Sequence, residues 1–323
     1  MIRRLRFLLT AALLCFQAPT VAHADAGQRP AGAGAASASV PASGIATPAL
    51  WVVRDEDTTL YIFGTSHMLP QGVEWLRGPV RQAFAQADTL VLEMVQPENP
   101  AVLRPLIMRL GLNPQGTTLS SQLPEKLRAQ ITQAATQVGL PAAALEPMRP
   151  WLAATTIAVA GLQGLGLDPS HGVEHVLTSY ARSSGKRITG LETAEQQFGF
   201  LASLPEEDQL ALLRSSIEDL ETLRTEASTL MTSWMRGDIE TVGKLMNESL
   251  KESPHLAKIL LTERNQRWAA WIDQRMDEPG RVFLAVGAGH LAGRDGLIRL
   301  LERKGLKVER VAMEASAPAG ARP

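Results

Sequence analysis

Leu60-Tyr61-Ile62-Phe63-Gly64-Thr65-Ser66-His67, near the start of the chain, is echoed near its end by Val282-Phe283-Leu284-Ala285-Val286-Gly287-Ala288-Gly289-His290. Each stretch is an apolar run rich in β-branched and aromatic residues that closes on G-x-x-H. Such runs predict buried strands, and the small residues that end them leave the histidine at the edge of a sheet. Open α/β sheets build their sites at the carboxyl ends of strands. Both histidines are therefore expected to reach one place. The fold class that follows is α/β, with a central mixed sheet made from N- and C-terminal strands around a largely helical middle.

The flanks carry a different composition. Arg3, Arg4 and Arg6 precede the apolar run Phe7–Phe16, and Ala22-His23-Ala24 supplies small residues at a cleavage site. Residues 1–24 read as a secretory signal peptide cut after Ala24, which predicts a periplasmic or secreted protein. Residues 25–48 are mainly Ala, Gly, Ser and Pro and read as a disordered linker, as does the tail 313–323. A single domain is expected over 49–312. Cys15 is the only cysteine of the 323 residues, so the mature chain has neither disulfides nor thiol ligands. The net charge of −1 becomes −4 once three arginines leave with the leader. No basic stripe suggests nucleic acid, and no second apolar stretch is long enough to span a membrane.

Leading into the first G-x-x-H, Trp51–Val53 and Thr58–Phe63 predict a hairpin turning at Asp55-Glu56-Asp57. Val80–Ala87 predicts a helix and Thr89–Met94 a strand. Helices follow over Val102–Leu110, Pro124–Val138 and Pro150–Gly161, with proline at or near the start of each. A glycine-rich loop, 164–172, leads to a helix over Val173–Ser183, and Lys186–Leu191 predicts a strand. Thr193–Leu204 is helical. From Glu206 to Met235 the apolar residues recur every three or four positions, which fits one long helix or a broken pair. Ile239–Leu250, Leu256–Met276 and Gly296–Lys304 complete the helices, and Leu306–Val311 is an edge or terminal strand.

Several polar residues stand where chemistry is possible. His67 and His290 are either hydrogen-bonded structural residues or metal ligands and bases that titrate near neutrality. Glu93 and Glu192 end predicted strands amid leucines, where a carboxylate needs a partner, a metal or water. They fit either a salt bridge or the roles of ligand and proton acceptor for a metal-bound water. Arg264 is either paired with a carboxylate or set to clamp a substrate anion, with Asn265 and Trp268 as substrate contacts. His171 and His175 have i, i+4 spacing, but the sequence between them is Gly172-Val173-Glu174 and His171 is expected to precede the helix. No G-x-S-x-G or Walker loop occurs.

Six stretches taken together resemble the TraB/GumN family. They are Gly64-Thr65-Ser66-His67; Leu92-Glu93-Met94; Arg149-Pro150-Trp151; Gly190-Leu191-Glu192-Thr193; Arg264-Asn265-Gln266-Arg267-Trp268; and Val286-Gly287-Ala288-Gly289-His290-Leu291-Ala292-Gly293. The resemblance runs from about Trp51 to Val311. It implies one α/β domain related to the TIKI metalloproteases, which use Mn or Co, and more distantly to erythromycin esterase (EreA) and ChaN-like proteins. Carried over, it implies a divalent metal, Zn or Fe being the other options, on His67, His290 and Glu93, with Glu192 and Arg264 also at the site. Many members have Asp where this chain has Glu174. The expected function is an exported metal-dependent hydrolase acting on a peptide or small molecule. The alternative is a periplasmic protein that binds haem or another small ligand, with Trp268 and Trp271 lining its cleft.

Overall fold

The computed structural model describes residues 40–41, 43–247, 250 and 253–313. The signal peptide, most of the linker and the tail expected from the sequence lie outside these residues. Among the described residues eight strands occur: β1 (Gly44–Ile45), β2 (Leu50–Arg54), β3 (Thr58–Thr65), β4 (Val73–Glu74), β5 (Thr89–Met94), β6 (Arg187–Glu192), β7 (Gly280–Gly287) and β8 (Val308–Arg310). The helices of the first half are α1 (Gly78–Gln86), α2 (Arg104–Gly111), α3 (Glu125–Gln137), α4 (Pro150–Gln163) and α5 (Val173–Ser183). Those of the second half are α6 (Ala194–Ala202), α7 (Glu206–Glu218), α8 (Leu223–Met235), α9 (Ile239–Asn247), α10 (Pro254–Ala257), α11 (Glu263–Arg275) and α12 (Leu297–Arg303).

Six strands form one mixed sheet in the order β6-β5-β7-β3-β2-β8. The first four are parallel to one another, while β2 runs antiparallel to both β3 and β8. The two G-x-x-H strands are direct neighbours. Gly64 pairs with Val286 and Thr65 with Gly287, so both strands stop at the same level and release their histidines side by side. The carboxylates follow the same logic, because β5 and β6 are parallel and Met94 pairs with Glu192. Phe63, Phe84 and Phe283 pack together at this sheet, and Leu60, Ile62, Leu90 and Leu284 are fully buried around them. Near-continuous apolar strands are what a parallel sheet covered on both faces requires.

One boundary differs from the sequence reading, and one open alternative is decided. The linker expected over 25–48 has joined the fold by Gly44: Gly44–Ile45 pairs with Val73–Glu74, and Ala46 is fully buried. A two-residue pairing carries no periodicity to read. The segment from Glu206 is a broken pair, with a 3-10 turn at Asp219–Glu221 between α7 and α8. Among the described residues no helix is long and apolar enough to cross a membrane.

The helical middle roofs the strand ends. Trp234 on α8 donates from Nε1 to the carbonyl of Gly64 at 2.9 Å. Asn247 on α9 donates from Nδ2 to the carbonyl of Gly289 at 2.9 Å. Gly243 lies so close to Ala292 that an added Cβ would stand 2.2 Å from the alanine methyl carbon. These three contacts fix α8 and α9 over the turns that carry His67 and His290.

Candidate active site

Arg264 is the hub of the site. It is the second residue of α11, just after a π-helical stretch at Lys258–Thr262, and is 0% exposed. Its Nε donates to Glu192 Oε1 at 2.9 Å and Oε2 at 3.1 Å, and Nη2 donates to Glu192 Oε2 at 2.8 Å. Nη2 also reaches Glu93 Oε2 at 2.6 Å, and Nη1 lies 3.1 Å from His290 Nε2. One planar guanidinium thus ties the ends of β5 and β6 to the turn after β7. Burial opposes its charge, but the two carboxylates outweigh it and raise its pKa. The Trp268 ring lies 4.7 Å from the guanidinium carbon and 4.6 Å from the His290 ring, closing this cluster from behind.

His290 has both ring nitrogens engaged. Nδ1 donates to Asn265 Oδ1 at 2.7 Å, which leaves Nε2 to accept from Arg264. Asn265 in turn donates to the carbonyls of His290 at 3.2 Å and Asp295 at 2.8 Å. Burial pushes the imidazole pKa down to about 3, with Arg264 adding to the effect against the pull of Glu93. His290 is therefore a neutral structural acceptor at ordinary pH.

His67 is set differently. Gly172 packs directly on its backbone, where an added Cβ would lie 2.0 Å from the His67 carbonyl oxygen, and Val173 N donates to Ser66 O at 3.0 Å. This docking brings the first turn of α5 beside the ring, with Glu174 Oε1 at 2.8 Å from His67 Nδ1. Thr65 Oγ1 donates to the same carboxylate oxygen. Burial lowers the His67 pKa, but the charge and hydrogen bond of Glu174, joined by the charge of Glu93, raise it above the usual value of 6.5.

The remaining nitrogen of His67 faces a small space over Gly287. A Cβ built there would stand 3.1 Å from Glu93 Oε1, 3.3 Å from His67 Nε2 and 3.6 Å from His290 Cδ2. Glycine keeps that cradle open. The Glu93 oxygen facing it also accepts from Gly287 N at 2.7 Å. Burial alone would raise the Glu93 carboxyl; Arg264 and the two histidines bring it down to about 2.

A divalent ion held by His67, His290 and Glu93 does not fit this donor set. His290 turns a carbon edge to the cradle and gives its Nε2 lone pair to Arg264, and the guanidinium already neutralises Glu93. Among the described residues no three His, Asp or Glu side chains are grouped to hold a metal ion. The same geometry denies His290 an axial-ligand role. Glu192, Arg264, Asn265 and Trp268, expected to act on or touch substrate, are all buried behind the cradle with their polar groups committed inward, apart from the Trp268 Nε1. Arg264 is paired with carboxylates, one of the two roles left open by its sequence. Trp271 packs partly buried against the core. His171 precedes α5 in a 3-10 turn, and His255 pairs with Asp208 at 2.9 Å on the surface. The residue undervalued from sequence is Glu174, whose only local signal is its place two residues after Gly172.

The two histidines set the pH dependence of stability from opposite sides. His67 has a raised pKa, so its contribution is complete below the unfolded value of 6.5 and is lost as pH rises through its folded value. His290 remains neutral to about 3, so below 6.5 the unfolded chain takes up a proton that the fold refuses. Stability from this pair is expected to peak near pH 6.5 and to fall on the acid side by about 1.4 kcal/mol per pH unit. Melting curves from pH 4.5 to 8 check this, with His290→Gln expected to flatten the acid limb. A wild-type acid limb that this change leaves intact would contradict the neutral assignment.

The chain is similar to the uncharacterized protein YbaP of Escherichia coli (strain K12), with 24% identity over 255 residues, covering 79% of this chain and 92% of that protein. The uncharacterized protein YbaP of Shigella flexneri matches with the same identity and coverage. An uncharacterized protein of Treponema pallidum (strain Nichols) is 22% identical over 280 residues, covering 79% of this chain and 80% of its own length. No solved structure matches the chain significantly. The family match spans residues 49–310, from the first residue before β2 to the last of β8, and so takes in every strand end and helix that builds the site. The chain belongs to the TraB/PrgY/gumN family.

Proposed function

We propose that the protein is an exported hydrolase of acyl bonds, peptide bonds first among them, in which His67 is the general base. The observation that carries this reading is the His67–Glu174 pair with its second nitrogen turned to the Gly287 cradle. A carboxylate on Nδ1 holds the imidazole in the tautomer whose Nε2 is basic, and it stabilises the imidazolium that forms. His67 Nε2 takes a proton from water, the water oxygen bonds to the acyl carbon, and the carbon–leaving-group bond breaks. The same imidazolium returns the proton to the leaving oxygen or nitrogen. Glu93 orients the water through Oε1, and Arg264 fixes Glu93 and His290 as a positioning residue. No step is assigned to a metal, because Arg264 already holds His290 Nε2 and Glu93 Oε2.

The reading makes a pH profile its test. Neutral His67 is the active form, so kcat/KM on activated esters should rise with pH on a limb above 6.5. In Glu174→Gln the largest raising influence is gone and burial dominates, so the limb should move to lower pH and the alkaline plateau should drop. An unmoved limb would remove Glu174, and with it this reading of His67.

A further inference from the structure

Beside the cradle lies a cavity of ≈ 70 Å³. Its walls come from the roof: Leu162 of α4, Ala227, Met231 and Trp234 of α8, and Val242 and Met246 of α9. Its floor is the motif itself, with Thr65, His67 and Gly287. The polar groups thus sit at one end and the apolar walls at the other. Charged groups are excluded from the walled end, where no side chain would replace their water.

We propose that this cavity is the acyl pocket of the enzyme and takes a short branched aliphatic group, with the scissile carbonyl held at His67. The proposal rests on the hydrolytic reading of His67. Size orders the class: a cavity of about 150 Å³ admits benzene, and this one is about half that, so a branched aliphatic group of three or four carbons suits it better than an aromatic ring. The shape is held in place, because Trp234 is hydrogen-bonded to Gly64, α9 is tied down at Asn247, and Gly243 abuts Ala292. Met231 and Met246 supply adaptable thioethers that can close on a branched chain. The cavity therefore reads a side chain or acyl group next to the bond that His67 attacks.

The test compares p-nitrophenyl acetate, isovalerate and benzoate as substrates of the full-length protein. Isovalerate is expected to exceed acetate at least tenfold in kcat/KM, with benzoate below both. Ala227→Leu, which fills the cavity from α8 without adding polarity, should reduce the isovalerate-to-acetate ratio at least tenfold. In parallel, isovalerate itself is titrated into protein labelled at the methionine methyls, and the Met231 and Met246 signals are expected to shift in wild type and in His67→Ala alike. Ester hydrolysis indifferent to the acyl group, with those methyls unmoved, would overturn the pocket while leaving His67 as base. Shifted methyls with no hydrolysis of any ester would instead overturn the catalytic reading, and the substrate role of the pocket with it.

Discussion

Replacing Arg264 with leucine is expected to cost about 3–5 kcal/mol of folding free energy, the largest single loss at this site. The guanidinium is wholly buried, and the Glu93 and Glu192 side chains it holds are only 8% and 3% exposed. Removing the cation leaves Glu93 with only the Gly287 N–H and Glu192 with Gln197 and the more distant Arg267, at 3.7 Å, in a setting that water scarcely reaches. Leucine restores packing against Trp268 and Phe200 but none of the charge. Lysine is expected to recover little, because one ammonium cannot span Glu93, Glu192 and His290 at once. Urea denaturation of Arg264→Leu and Arg264→Lys checks this. A loss below about 1 kcal/mol in the leucine variant would mean that the carboxylates are not held as a charged cluster.

The second large effect falls on turnover rather than on stability. His67→Ala is expected to lower hydrolysis by about 10²–10⁴-fold, the usual contribution of a general base, while the cooperative melt is retained. His67 sits at the edge of the cluster, with its side chain 16% exposed, and the hub of Arg264 with Glu93, Glu192 and His290 does not depend on it. Arg264→Leu and His67→Ala therefore separate the two halves of the site. One change should unfold the strand ends, the other should leave them in place without a base. Near-equal losses of activity and of stability in His67→Ala would place that histidine in the structural half.

What the sequence made legible is the strand-end geometry. The two G-x-x-H runs are strongly apolar, and parallel pairing in register is enough to bring Thr65 beside Gly287 and the histidines to one edge. Glu93 and Glu192 could be placed by the same logic, since each ends a short apolar run in the same sheet. The division of roles was not legible. That His290 is neutral and structural while His67 is poised depends on which neighbour reaches each ring, and those neighbours arrive from elsewhere in the chain. Glu174 is delivered by the close approach of Gly172 to a carbonyl more than a hundred residues away, a tertiary contact with no periodic trace. Arg264 read equally well as a substrate clamp, because its place among tryptophans predicts burial and not the identity of its partner. The cavity was invisible for a related reason: Leu162, Met231 and Val242 lie on apolar helix faces that read the same whether they pack solid or leave a gap.

The measurement that bears most directly on His67 as a base working without a metal is hydrolysis of p-nitrophenyl isovalerate by chelator-treated protein, with elemental analysis of the same samples. Wild type stripped of metal is expected to keep its rate, and His67→Ala, equally stripped, to lose it by about 10²–10⁴-fold. Activity that disappears on chelation, returns with Mn or Co, and tracks a metal ion bound in wild type but absent from His67→Ala would contradict the account.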